Sequence, residues 1–287
     1  MSSNQLLNHP FLTQIRNIVV TDRMEKLQAE ILEAGQLMGY PKSEFWNDGL
    51  KLFVTNHSYF SDIAFQLGAE AGCVPCMFWH SQRPRDLVLP FMIECAIRGN
   101  KVRMYNLLQF YWSRNQFCLL LFWDKLVASL EDSETVQLRA QDRKETRRAH
   151  LCNNCAACGC KRTDETVLLT CEGCKVYWYC STECQRHHWI VCNHSGECRQ
   201  NKILRKYCKT EIVGEIRDAI IRGEDPKTIG SLQKLRSKLG LNQPRENYKN
   251  WIDAMTRDTN NEETPIGEFK VCRKNGKLPV GSSPNAI

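Results

Sequence analysis

The chain has 287 residues, 42% of them hydrophobic and 25% charged, which is long enough to bury a core of ordinary size in one large domain or two modest ones. A formal net charge of +7 permits an acidic partner without singling out nucleic acid. The longest aromatic and aliphatic run, Phe117 to Trp123, falls far short of the roughly 20 apolar residues that cross a bilayer, so no membrane association is expected.

Residues Met1 to Leu12 hold no basic stretch followed by an apolar run, so no secretory signal is read and an intracellular setting, cytoplasmic or nuclear, is expected. Residues 1–135 read as a helical domain, either a bundle or a degenerate repeat. Leu27, Ile31 and Ala34 share one helical face, and Met104, Leu107, Leu108, Tyr111 and Trp112 repeat the same spacing. A helix over Pro90 to Ile97 should stop at Gly99, and the next should start at Asn100 or Lys101, making a helical hairpin. Ile93 to Leu108, with Ala96, Gly99 and the Leu107–Leu108 pair, faintly resembles one ankyrin repeat. No second copy stands at the period of about 33 residues, so a plain bundle is preferred. Cys73 and Cys76 form a CVPC sequence. Its flanks look helical on both sides, unlike the strand-then-helix setting of a thioredoxin motif, and the pair is read as structural thiols.

Residues 136–151 turn polar and basic, with Arg143, Lys144, Arg147 and Arg148, and read as a linker. The cysteine-rich stretch 152–198 follows, and 199–257 reads as a helical extension. That extension opens with a basic helix, Arg199 to Lys209, followed by an amphipathic segment bearing Ile212, Val213, Ile216, Ala219 and Ile220. Gly223 should end the second helix, and Asp225 with Pro226 should start another bearing Ile229, Leu232, Leu235 and Leu239. A short last helix is expected from Pro244, presenting Tyr248, Trp251, Ile252 and Met255. Residues 258–287 are polar and rich in Gly, Pro and Asn, the composition of a disordered tail. The basic runs on either side of the cysteines read as solvated helix faces, and nucleic acid is not the expected partner.

Sixteen cysteines exceed what packing needs, and ten of them lie between Cys152 and Cys198. In a reducing compartment such clustering favours metal over disulfides. Cys155 with Cys158 and Cys171 with Cys174 have the two-residue gap that lets both sulfurs reach one zinc ion. Cys180 with Cys184 and His194 with Cys198 are four apart, on one side of a helical turn. Eight such donors make two closed tetrahedra and leave no position for water, which marks a structural and not a catalytic site. Spacing alone also allows a sequential arrangement, and Cys152 with Cys155 allows a slipped register.

The pieces CAAC with Gly159, CEGC, YWYCSTECQ, Trp189, and lastly His194 and Cys198 together resemble the MYND-type zinc finger over about 45 residues. The resemblance implies a small cross-brace with two structural zinc ions. Cys155, Cys158, Cys180 and Cys184 would hold one ion, and Cys171, Cys174, His194 and Cys198 the other. The fold class expected is therefore mainly α, with a helical N-terminal region, a two-zinc MYND-type finger and a helical C-terminal extension. One departure matters: where the family places its histidine and last cysteine, this chain has Cys192 and Gly196. A two-residue insertion that keeps His194 and Cys198 as ligands is the reading adopted, with Cys192 in place of His194 as its rival. Cys152 and Cys160 are then spare thiols, and His187 and His188 exposed side chains, although His188 is close enough in sequence to substitute as a donor.

Without metal, a segment this poor in aliphatic residues could not offset the entropy lost on folding, so zinc would order it. Seven thiolates against two dications leave about −3 at the finger, and its other side chains are nearly balanced, which makes it a poor phosphate ligand. Gln185 and Trp189 lie four apart on one helix. The matching residues of MYND fingers help bind short proline-containing peptides, whereas a bland reading has Trp189 only capping the finger core. No catalytic constellation is found, and a non-catalytic adaptor that binds other proteins is expected. A protein-lysine methyltransferase and a nucleic-acid-binding regulator are the alternatives. Asn56, His57 and Ser58 echo SET-domain methyltransferases. They precede the finger where those enzymes place the stretch after it, and no glycine-rich cofactor segment follows Cys198.

Overall fold

The structure is a computed structural model, and it describes residues 22–81, 88–131, 141, 144–145, 151–163, 167–243, 247–249 and 252. The expected tail at 258–287, most of the linker at 136–151 and most of the short helix after Pro244 lie outside those residues. In chain order the described elements are α1 (Asp22–Ala34), α2 (Glu44–Val54), α3 (Ser58–Glu70), α4 (Val74–His80), α5 (Val88–Ile97), α6 (Lys101–Ser113) and α7 (Phe117–Ala128). Strands β1 (Leu169–Thr170) and β2 (Trp178–Tyr179) come next, then α8 (Thr182–Ile190), α9 (His194–Tyr207), α10 (Thr210–Ile221) and α11 (Gly230–Leu239). The described chain is thus mainly α. None of its helices is long and apolar enough to cross a membrane.

The chain clusters into two compact units that interleave in sequence. One combines the chain up to Leu107 with Thr210–Tyr248, and the other contains Leu108–Lys209, so the division falls inside α6. Helix α7, which the sequence reading grouped with the N-terminal region, therefore clusters with the finger.

In the first unit neighbouring helices pack in succession, α1 on α2, α2 on α3, α3 on α4 and α4 on α5. Local chemistry sets their ends. Ser43 caps α2, its hydroxyl accepting from the Trp46 N–H. Gly99, with φ at +88°, ends α5 in the left-handed region where a side chain is strained. Asn100 then caps α6 by accepting from the Arg103 N–H at 2.9 Å and donates to the Gly35 carbonyl at 2.8 Å. The helix stop at Gly99 and the restart at Lys101 expected at this point are present. Trp46, Leu50, Phe65, Ile93, Ile97 and Met104 are wholly buried in the unit's core, and Gly49 lets the Phe65 ring lie against the α2 backbone. A charged group is buried there as well. Glu94 accepts from Arg98 and, at 2.7 Å, from Arg236, while the Tyr40 hydroxyl donates to the Arg98 carbonyl.

One expected boundary is corrected. Asp225 and Pro226 do not start a helix: the Asp225 side chain accepts from the Lys227 N–H at 2.9 Å and its carbonyl from the Thr228 N–H, closing a turn. Helix α11 begins at Gly230 and buries Leu232, Leu235 and Leu239.

In the second unit α7 packs on α9, and α9 on α8. Tyr111 and Trp123 are wholly buried. Strands β1 and β2 pair antiparallel with Leu169 opposite Tyr179 and Thr170 opposite Trp178. This short hairpin and the two helices after it carry most of the cysteine cluster.

Candidate metal centre

The first turn of the cluster is built around Gly159. Its φ of +70° closes a knuckle in which the Gly159 N–H donates to the Cys155 carbonyl at 2.9 Å. Cys155 and Cys158 flank the bend. Cys184, in the first turn of α8, and Cys180, just before that helix, come up beside them. Ser181 caps α8 by accepting from the Cys184 N–H, which fixes where Cys184 points. The Cys180 sulfur is 3.5 Å from both Cys158 and Cys184. Cys160, read as a spare thiol, is brought to the same place: the four sulfurs that all lie within 4.8 Å of one another are those of Cys155, Cys158, Cys160 and Cys180, with Cys160 in the position expected for Cys184. The backbone N–H of Cys160 and the thiols around Cys158 hold the Cys158 sulfur down to a pKa of about 2, chiefly through Cys155 and Cys184. Cys184 is pushed far up by the same neighbours.

The second group is fully buried. The donor atoms of Cys171, Cys174, His194 and Cys198 all lie within 4.8 Å of one another, and His194 Nε2 is 3.4 Å from Cys171 Sγ and 3.6 Å from Cys174 Sγ. Gly173 lies between the first two cysteines, and a Cβ there would meet Cys198 Sγ at 2.5 Å. The backbone thus leaves room for four donors to converge. Cys174 is held low by hydrogen bonds from Cys118, Cys171 and Cys198, while Cys198 is pushed high by Cys171 and Cys174. Burial opposes charge on His194, but hydrogen bonding to Cys171, Cys174 and Glu197 outweighs it and raises the pKa to about 11. Sulfurs crowded in this way cannot all ionise beside one another unless a cation sits among them. Soft sulfur and imidazole donors in fours fit zinc.

The two groups alternate along the chain, with pairs from the first, second, first and second taken in turn, so the sequential arrangement is not the one the donors adopt. Helix α8 ends at Ile190, and Asn193, with φ at +49°, turns the chain so that His194 opens a new helix facing Cys171 and Cys174. Cys192 is half-buried, and it is in neither group. Cys152 also stays out of both.

Three residues that sequence reasoning passed over surround the second group. Glu197, one turn beyond His194, is buried and accepts from His194 Nδ1 at 3.0 Å and from the Cys118 N–H at 2.9 Å. Its other contact is Tyr177, whose hydroxyl is 3.0 Å from Glu197 Oε1 and accepts from the Phe117 N–H. A carboxylate three residues after a ligand histidine was a usable signal, but nothing local marked Cys118. His188, expected to be exposed, is corrected: it is buried, stacks on His194 with ring centroids 5.0 Å apart, and pairs through Nδ1 with the Tyr179 hydroxyl at 2.8 Å. Burial keeps it neutral, with a pKa near 3. Trp189 puts an edge against the His194 ring, centroids 5.6 Å apart, yet remains 40% exposed, and Gln185 is half-buried.

Residues 152–198 match the family model described as the MYND finger. The chain carries a MYND finger. No curated protein and no solved structure matches the chain. The MYND finger binds zinc and serves protein–protein interaction, and its Cys/His groups in this chain are able to hold the ions. Zinc in this finger would fix the relative positions of the hairpin and of α8 and α9.

Proposed function

We propose that the chain is a non-catalytic, intracellular adaptor whose MYND finger recognises other proteins. Cys155, Cys158, Cys180 and Cys184 hold one structural zinc ion, and Cys171, Cys174, His194 and Cys198 hold the second. Each ion then has four protein donors and no open position, which suits a scaffold and leaves no place to activate water. The observation that carries the reading is Trp189. One edge lies against the His194 ring, while 40% of the residue stays in solvent, and the next residue in the chain, Ile190, is exposed as well. A half-exposed tryptophan held by one edge is the kind of anchor that dominates binding energy at an interface. Short proline-containing peptides are the proposed ligands, lying against the edge of the β1–β2 hairpin and the Gln185–Trp189 face of α8.

The test is binding to proline-containing peptides by calorimetry with intact, chelator-stripped and Trp189→Ala protein. The intact protein should bind, stripping should abolish binding, and the variant should bind at least about tenfold more weakly with both ions retained. Loss of zinc in the variant would reduce the tryptophan to a packing role. Saturable binding of S-adenosylmethionine would support the methyltransferase alternative, and affinity falling steeply with salt toward nucleic acid would support the regulator.

A further inference from the structure

The first compact unit holds a pair of thiols that the zinc finger does not use. Cys73 and Cys76 lie where α3 gives way to α4. Gly72, with φ at +101°, turns the chain. Cys73 follows in extended conformation as the residue capping α4, and Pro75 stands in the first helical turn ahead of Cys76. Both flanks are helical, as the sequence suggested, but the second helix begins at the motif itself, which puts the two sulfurs together.

The two thiols differ in ways that suit different chemical steps. Cys73 is half-buried, whereas Cys76 is wholly buried. The Cys76 sulfur sits against the bare backbone of Gly68 in α3, where a Cβ would approach it to 2.4 Å. Ser43 Oγ is 3.7 Å from the Cys76 sulfur, and the Cys73 sulfur is 3.9 Å from the Pro41 carbonyl. Three residues apart across the start of one helix, the two side chains lie on the same face. The Cys76 thiol lowers the Cys73 pKa to about 6, while burial drives Cys76 well up. A half-exposed thiol therefore stands beside a fully sheltered one.

We propose that Cys73 and Cys76 are a redox-active dithiol that exchanges with disulfides, Cys73 attacking and Cys76 resolving. The Cys73 thiolate attacks one sulfur of a substrate disulfide, whose S–S bond breaks and releases one thiolate. The Cys76 thiol passes its proton to that departing thiolate, and its sulfur then attacks the Cys73 sulfur of the mixed disulfide. The second substrate thiolate leaves and takes a proton from solvent. Two electrons have passed from the protein dithiol to the substrate, which ends as two thiols, while Cys73 and Cys76 end as a disulfide. The substrate class is an accessible disulfide, and oxidised glutathione is the probe.

The full chain with its zinc in place is equilibrated in glutathione buffers from fully reduced to fully oxidised, then alkylated and digested with trypsin. The fragment from Leu52 to Arg85 carries Cys73 and Cys76 and no other cysteine, so its state is read directly by mass. It should lose two hydrogens as the oxidised fraction rises and regain them on return. Cys76→Ser should accumulate glutathione on Cys73, whereas Cys73→Ser should leave Cys76 unmodified. In reduced wild type, Cys73 should alkylate at least about tenfold faster than Cys76. A fragment that stays a dithiol in fully oxidised buffer, or equal alkylation of the two thiols, overturns the proposal. Both of these readouts use the wild-type chain, so they decide the matter even if a variant fails to fold.

Discussion

His194 Nδ1 stands 3.0 Å from the Glu197 carboxylate, one turn further along the same helix, and both side chains are buried. A carboxylate so placed orients the imidazole and leaves Nε2 facing the sulfurs of Cys171 and Cys174. Glu197→Gln keeps the shape and weakens this hold. Zinc affinity of the second site should fall by about 10-fold to 100-fold in chelator competition, with the first site unaltered. Equal retention by the variant and the wild type would assign Glu197 to packing alone.

Glu197 also accepts from the Cys118 backbone at the start of α7, and the Cys118 sulfur lies within 4.8 Å of the donor atoms of His194 and Glu197. Helix α7 should therefore loosen when the finger loses its metal. Hydrogen exchange of the chelated protein is expected to show lost protection over Phe117–Ala128 and His194–Tyr207, with Glu44–Val54 and Ser58–Glu70 still protected. Unchanged protection of Phe117–Ala128 would mean that α7 stands without the zinc site.

Metal analysis should return two zinc ions per chain, and Cys171→Ser should return one. Each group of donors is complete by itself, so the loss of one should not empty the other. A wild-type value of one would point to failure of the His194 and Cys198 pair.

Gly49→Ala tests the core of the first unit. An alanine in mid-helix ordinarily stabilises by about 0.5–1 kcal/mol relative to glycine. Here its methyl group would meet the Phe65 ring at 2.6 Å, and overpacking of that kind costs about 1–3 kcal/mol. A lower urea midpoint is expected, whereas a higher one would show that the ring moves freely.

Glu94 is the one carboxylate accepting from both Arg98 and Arg236 in the buried group described above, and Arg98 is 2% exposed. Glu94→Gln leaves the Arg98 charge buried without its counter-charge. A loss of about 3–5 kcal/mol in unfolding free energy follows.

The alkylation rate of Cys73 should fall as pH drops through about 6, well below the value of about 8.5 for an ordinary thiol. The groups around it are the Cys76 thiol, the Ser43 hydroxyl and the buried Cys95 thiol. Because its pKa is lowered, Cys73 keeps its thiolate over the whole interval between those two values. A midpoint near 8.5 would remove the special reactivity.

Much of this protein is legible in the order of its residues because the signals are local. Cysteines three or four residues apart, a glycine in the bend just after the first pair and a tryptophan one turn along a helix all act within a few residues, and the zinc finger follows from them. The helix stops at Gly99 and Gly223 are local in the same way, since only backbone conformation decides them. What the chain order could not contain is anything that depends on distant residues meeting. Whether His194 or Cys192 faces Cys171 rests on a left-handed Asn193, and whether Cys160 joins the first group rests on where the Asn154–Lys161 bridge brings it. The burial of His188 beneath Tyr179, the tie from Glu197 to Cys118 and the grouping of α7 with the finger all join residues far apart in sequence or on different elements. Packing selects such contacts by shape and by the need to pair buried polar atoms, and no spacing rule records that selection.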